Sequence, residues 1–407
     1  MRKILRHNSI STKEVKAVNK VLKKGLLSGF YGSPGNFFLG GDNVKKFESK
    51  LSKFYNVKFA VTFNSWTSGL IAALGAINIE PGDEVICTPW TMTASATAIL
   101  HWNAIPVFVD IEPDFFGINL NILEKQITKK TRAIMAVDIF GQSENIYQII
   151  KLAKKHNLKV ISDSAHAPYA KINKRLVGTL SDVGGFSLNH HKHINTGEGG
   201  VAITNNPKIA KKLRLIRNHG EAVVNKKTNN NDLVNVIGHN FRLGEIEAAI
   251  GIEQMKKLKK IINSKVKLAK ILTRELEQLP GLQVPKIRKN CTHNYYIYPL
   301  LIKNNCKVSR AKLVKKLKSK NIPGIIEGYQ NLHLQPIYQK KIAYGKNHFP
   351  WSVFKSNVNY KKGICPIAEQ LHEKKFWGIL LCSYDYSIKD IKEISKLIKK
   401  TWHSLLS

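Results

Sequence analysis

Five short, largely apolar runs recur through the first half of this chain, at Ala60–Phe63, Glu84–Cys87, Ile105–Val109, Ala133–Val137 and Lys159–Ser162. Helical patterns separate most of them. Such βαβ spacing demands a mainly parallel sheet covered on both faces by helices, because parallel neighbours need crossover connections. Two further strand candidates, Gly184–Ser187 and Val201–Thr204, flank a glycine-rich loop. Ahead of the sheet, a helix is expected over Thr12–Lys24. A Gly-rich segment follows at Gly25–Gly41, then an amphipathic helix capped by Asp42 with Val44, Phe47, Leu51 and Phe54 on one face. A long helical pattern runs from Glu245 to Leu279 and stops at Pro280–Gly281. Beyond it, a strand candidate at Tyr295–Ile302 and helices near Arg310–Lys320 and Lys389–Leu405 read as a compact α+β unit, with His348–Gly363 as an insertion or long loop in it. With 407 residues, the chain divides into a large α/β domain with an N-terminal arm, residues 1–262, and a smaller C-terminal α+β domain, residues 263–407.

The chemistry concentrates in FSLNHHKHINTGEGG, Phe186 to Gly200, around a single lysine, Lys192. Asp163 ends the strand-like run KVISD, and Lys192 follows it by 29 positions. A carboxylate at a strand end and a lone lysine before a tight glycine turn meet the needs of a pyridoxal 5'-phosphate (PLP) site. There a lysine amine forms a Schiff base with the aldehyde, and an acid keeps the pyridine nitrogen protonated. Backbone amides opening the helix after Ser65 provide a natural phosphate seat.

Eight segments in order extend this pattern over nearly the whole chain: SGFYGSPGNFFLGG, NSWTSGLIAALGAINIEPGDEVICTPWT, ATAILHWNAIPVFVDIE, VDIFGQ, VISDSAHA, the lysine segment, GHNFRLGEIEAAIGIEQ and CPIAEQLH. The series resembles the DegT/StrS family of sugar-nucleotide aminotransferases, of the PLP-dependent transferase type I fold. The resemblance implies that Lys192 is the catalytic Schiff-base lysine, Asp163 the partner of the pyridinium nitrogen, and His166 a partner of the ring's 3-hydroxyl. It implies a phosphate held by Ser65, Trp66, Thr67 and Ser187, with Trp66 standing where the family usually has glycine. Met92 takes the slot of the residue that stacks on the ring, where a thioether replaces the usual aromatic, and Trp90 is left to line the substrate pocket. Asn240, in GHNFR, falls where an asparagine reaches the neighbouring subunit's phosphate, which implies a homodimer with shared active sites. The implied reaction passes an amino group from an amino acid, by family analogy L-glutamate, to a keto group of a nucleotide-linked deoxysugar. Related sugar 3-dehydratases carry histidine in the lysine slot, so Lys192 disfavours dehydration; dehydration or epimerisation remains the alternative with the same cofactor.

Three histidines, His190, His191 and His193, surround the lysine, but no Cys or carboxylate joins them at ligand spacing, so no metal is expected. The balance of 65 basic and 28 acidic residues, net +37, would attract any polyanion. The lysines are nonetheless dispersed rather than gathered in an arm, and no aromatic platform is interleaved with them, so specific nucleic-acid binding, or a regulatory role built on it, is not expected. No run is apolar enough for membrane insertion, and no signal-peptide pattern opens the sequence. Five scattered cysteines without a CxxC pair point to free thiols in the cytoplasm. Specificity for nucleotide and sugar is expected in loops such as Gly25–Gly41, Val223–Val236 and His348–Lys362.

Overall fold

A computed structural model of the chain describes residues 2–33, 35–220 and 237–406. Helices α1 (Thr12–Lys24) and α2 (Asp42–Tyr55) lead into strand β1 (Phe59–Phe63). There follow α3 (Trp66–Ala76), β2 (Glu84–Cys87), α4 (Thr93–His101), β3 (Ile105–Phe108), the short α5 (Leu120–Leu123), β4 (Thr131–Val137), α6 (Ile146–Lys155) and β5 (Lys159–Asp163). A small hairpin, β6 (Lys171–Ile172) and β7 (Arg175–Leu176), precedes β8 (Val183–Ser187), β9 (Gly200–Thr204), α7 (Pro207–Arg217) and the 32-residue α8 (Glu245–Leu276). The C-terminal part holds β10 (Leu282–Gln283), β11 (Tyr298–Ile302), α9 (Arg310–Lys318), β12 (Ile325–Glu327), α10 (Pro336–Gln339), α11 (Pro366–Gln370), β13 (Phe376–Ile379) and α12 (Ile388–Leu406).

Seven strands form the main sheet in the order β1-β9-β8-β5-β4-β2-β3. Strands β8, β5, β4, β2 and β3 run parallel, while β9 lies antiparallel to both of its neighbours. The strands are buried nearly end to end, as a sheet covered on both faces requires. Helix α3 shows why the cover is so complete. Its sequence WTSGLIAALGA is apolar on every side, and nine of its eleven residues are buried, packed against α4, α7 and the strands beside it. The smaller sheet, β10-β11-β13-β12, is wholly antiparallel.

Helix α8 contributes to two cores. Ala248, Ile252, Leu258 and Ile262 pack in one cluster with α2 and β9, whereas Leu268, Ala269, Leu272 and Leu276 pack with the small sheet and α12. The N-terminal arm also reaches the C-terminal part: Arg2 pairs with Asp390 at 2.7 Å, and Ile4 sits in the small-sheet core.

Two details differ from the sequence reading. Gly41, not Asp42, is the N-cap of α2; Asp42 turns outward and pairs with Lys24 at 2.7 Å. The strand expected from Tyr295 begins only at Tyr298, because Tyr295 adopts a left-handed backbone (φ 53°) that interrupts an extended run. The segment His348–Lys362 packs along β3 and the start of β4: Tyr360 donates a 2.8 Å hydrogen bond to the Pro106 carbonyl, Lys130 Nζ reaches the Phe354 carbonyl at 3.0 Å, and Asn357 and Asn359 line a cavity together with Asp110. The Val223–Val236 loop lies outside the described residues.

One buried ion pair ties the edge of the sheet to the helix layer. Arg217, fully buried, bonds Glu48, whose Oε1 also accepts from Thr62 N at 2.9 Å and Thr62 Oγ1 at 3.0 Å. Glu48→Ala leaves the guanidinium buried without its partner. It is expected to cost about 3 kcal/mol or more, read as a lowered denaturation midpoint of the apoprotein.

Candidate active site

The strand order brings the chemistry-bearing residues to one end of the sheet. Asp163 closes β5, Ser187 closes the adjacent β8, and Ser65 follows β1 as the N-cap of α3. A cavity of about 170 Å³ opens there, lined by Ser65, Trp66, Thr67, Met92, Asp163, His166, Ser187 and Lys192 among others. Eight of the nine residues marked from sequence thus share one cavity. Asn240 does not line it; it lies exposed, in a β-bridge with Asn218. Trp90 does not line it either. It is fully buried against Phe116, Tyr329 and Phe376, where an aromatic cluster gives its ring more contact than a wet pocket would.

The lysine loop is pinned at its base. Leu188 N donates to the Gly199 carbonyl at 2.8 Å, Thr196 N to the Leu188 carbonyl at 2.9 Å, and Lys192 N to the Asn189 carbonyl at 2.9 Å. Gly197 takes a left-handed turn (φ 87°) that favours glycine. Gly200 permits a close approach: a Cβ there would lie 2.4 Å from Trp66 N, at the mouth of α3. Within the loop, Asn195 contacts Gln254 of α8 (3.4 Å) and Ser9 of the N-terminal arm (3.3 Å).

Burial shapes the electrostatics. Lys192, 7 % exposed, has its ammonium pulled down to about 8, because burial outweighs the stabilising charge of Asp163. Its Nζ stands 4.5 Å from the Tyr296 ring centre, and the same ring stacks on His166 at 3.9 Å and 12°. Burial, reinforced by Lys192, holds His166 well below the usual imidazole range. His191 is lowered to about 4 and His193 to about 3, again mainly by burial; His193 Nε2 lies 3.1 Å from the Asn294 carbonyl. These histidines are neutral at neutral pH.

The residues fit PLP. His166 Nδ1 is buried without a hydrogen-bond partner, a polar atom that the ring's hydroxyl would satisfy. The first amides of α3 lack intrahelical partners by position, and the Ser65 hydroxyl caps the turn by accepting from Ser68 N at 3.0 Å. Asp163 accepts from Trp66 Nε1 at 2.8 Å, Ser95 Oγ at 2.7 Å and Ala165 N at 3.2 Å. Met92 lies at the opening, 57 % exposed.

Sequence reasoning missed Tyr296 and Ser95. Neither sits in a glycine turn or at a strand end, and only the fold brings them to His166 and Asp163. A second cavity, about 290 Å³, reaches Lys192 from another side; Arg6, His7, His190 and His191 line it with Tyr296 and Tyr384, and among the described residues no carboxylate lines it, although Asp385 pairs with His7.

The chain matches the DegT/DnrJ/EryC1/StrS aminotransferase family over residues 10–377. It is 34% identical over 333 residues to GDP-perosamine synthase of Vibrio cholerae, covering 82% of this chain and 87% of that one. It is 32% identical over 359 residues to the spore coat polysaccharide biosynthesis protein SpsC of Bacillus subtilis (87% and 88%). Its backbone superposes on Helicobacter pylori PseC, an aminotransferase involved in the biosynthesis of pseudoaminic acid, with a TM-score of 0.81 and 26% identity over 99% of this chain and 100% of that one.

Proposed function

The chain belongs to the DegT/DnrJ/EryC1/StrS aminotransferase family, and from that premise we propose that it moves an amino group from an amino acid, L-glutamate, to a keto group of a nucleotide-linked deoxysugar. It is a PLP-dependent aminotransferase. When bound, the cofactor supplies the electron sink that lets an amino group and a proton pass between carbons. The observation that carries the reading is the meeting of Lys192, Asp163 and the α3 N-terminus around one cavity.

Each residue has a task that its surroundings support. Lys192 Nζ, deprotonated readily in its buried setting, gives and takes the migrating proton as a general acid and base. Asp163 would keep the ring nitrogen protonated, and His166 Nδ1 would bond the ring's hydroxyl. The α3 amides and the Ser187 hydroxyl would hold the phosphate. Tyr296, stacked on His166 and beside Nζ, orients the imidazole. The cavity beside Lys192, lined by Arg6, His190 and His191, suits the anionic groups of both substrates, and the similarity to a GDP-perosamine synthase supports a nucleotide sugar. We place the enzyme in the cytoplasm as a homodimer in which Asn240 reaches the partner's phosphate site; no described helix is long and apolar enough to cross a membrane.

The test is to incubate the protein with PLP, L-glutamate and GDP- or UDP-linked keto-deoxysugars. Expected are an amino sugar by mass and one equivalent of 2-oxoglutarate. A product that has lost water without gaining nitrogen would refute amination.

A pH dependence follows from Lys192. Only the free amine attacks an aldehyde, and burial lowers its pKa from 10.5 to about 8. Covalent capture of PLP by the apoprotein is therefore expected to accelerate as pH rises and to level off above about 8, followed by stopped-flow absorbance. A rise that continues to pH 10 would show an ordinary lysine.

A further inference from the structure

Trp66 occupies a slot that the fold has emptied for it. Its side chain is 4 % exposed. A Cβ at Gly185 would lie 1.9 Å from the indole's Cη2, and one at Gly69 2.5 Å from its Cε3. Two residues without side chains therefore clamp the ring between α3 and β8. Gly185 is the register partner of Asp163 across β8 and β5, so an indole lying on Gly185 points directly at that carboxylate. Its Nε1 donates to Asp163 Oδ1 at 2.8 Å. The other oxygen takes the Ser95 hydroxyl, itself 3.0 Å from Thr91 Oγ1.

We propose that Trp66 is a positioning residue, whose indole N–H fixes the Asp163 carboxylate and keeps the site's negative charge on it for the cofactor's ring nitrogen. This rests on the assignment of Asp163 to that nitrogen.

A second buried carboxylate makes the bias necessary. Asp138, 2 % exposed, accepts from Glu144 N at 2.8 Å and Ser164 Oγ at 2.5 Å, and Ser164 is the residue after Asp163. Two neighbouring acids out of water do not both ionise freely. Asp163 has three donors, the indole among them, whereas Asp138 has two. Burial first, and the charge of Asp163 as a lesser cause, push the Asp138 acid up to about 7. Loss of the indole donor removes a hydrogen bond to an ion, the stronger class.

The experiment measures PLP affinity of the apoprotein across pH, in wild type, Trp66→Phe, Trp66→Gly and Asp163→Asn. Trp66→Phe is expected to bind PLP roughly tenfold more weakly, with the acid limb of the affinity profile moved up by about one pH unit. Free indole added to Trp66→Gly should restore affinity and limb, whereas benzothiophene, the same shape without the N–H, should not. If Trp66→Phe follows the wild-type profile, or benzothiophene rescues as well as indole, the proposal is overturned. Should Trp66→Phe fail to fold, the two rescue arms decide. Asp163→Asn separates the two levels. If it binds PLP and turns over normally, the assignment of Asp163 fails and takes this proposal with it. If it collapses while Trp66→Phe is unchanged, only the role of the indole is lost.

Discussion

Lys192→Ala will lower amino-group transfer by about 10⁴-fold or more, the upper end of what a positioned general acid and base contributes joined to the loss of the covalent anchor. No neighbour can substitute. His191 and His193 are uncharged and weakly basic, and Lys265, also buried with its pKa lowered, is tied to the Tyr384 carbonyl at 2.8 Å. The α3 N-terminus, Ser187, Asp163 and His166 remain in the variant, so PLP should still bind, but reversibly. Borohydride will fix the cofactor to the wild type and leave the variant's removable by dialysis, with the modified peptide identified by mass. Turnover within tenfold of wild type, or cofactor fixed to another lysine, would overturn the assignment.

Asp163→Asn should cut the rate about 10³-fold, in the range lost when a preorganised electrostatic partner is removed. An amide has nearly the carboxylate's shape, so the slot between Trp66 and Ser95 survives: its oxygen still accepts from the indole, and the Ser95 hydroxyl can rotate to accept instead of donate. The missing element is the negative charge that keeps the ring nitrogen protonated. The half-reaction with glutamate, followed by loss of the cofactor's visible band, isolates this step, and the apoprotein's melting temperature should barely change. A rate within fivefold of wild type would show that another group holds the nitrogen.

Much of this could be read from local pattern. The helix Thr12–Lys24 ends as expected because Ser11 and Glu14 form a capping box and Gly25 a left-handed terminus. The βαβ alternation yielded the parallel strands, and Lys192 and Asp163 stand out beside a glycine turn and at a strand end. Contacts decided by strand order stayed hidden. Ser95 belongs to α4 and Tyr296 precedes β11, yet both meet β5 residues or their neighbours, and no periodicity reports that β8 lies between β9 and β5. Trp90 shows the converse: beside a cavity-lining stretch, it turns away into the aromatic cluster because that burial is worth more than a place at the opening. The Tyr295 bend hinges on one backbone angle, which β-prone residues around it conceal.

The bare backbone at Gly69 and Gly185 couples three positions sterically. A methyl at either glycine would overlap the ring at 66, so a side chain can enter there only if the indole moves or shrinks. Removing the indole alone would open a hole beside Asp163, and a larger residue at 185 is the change that could fill it.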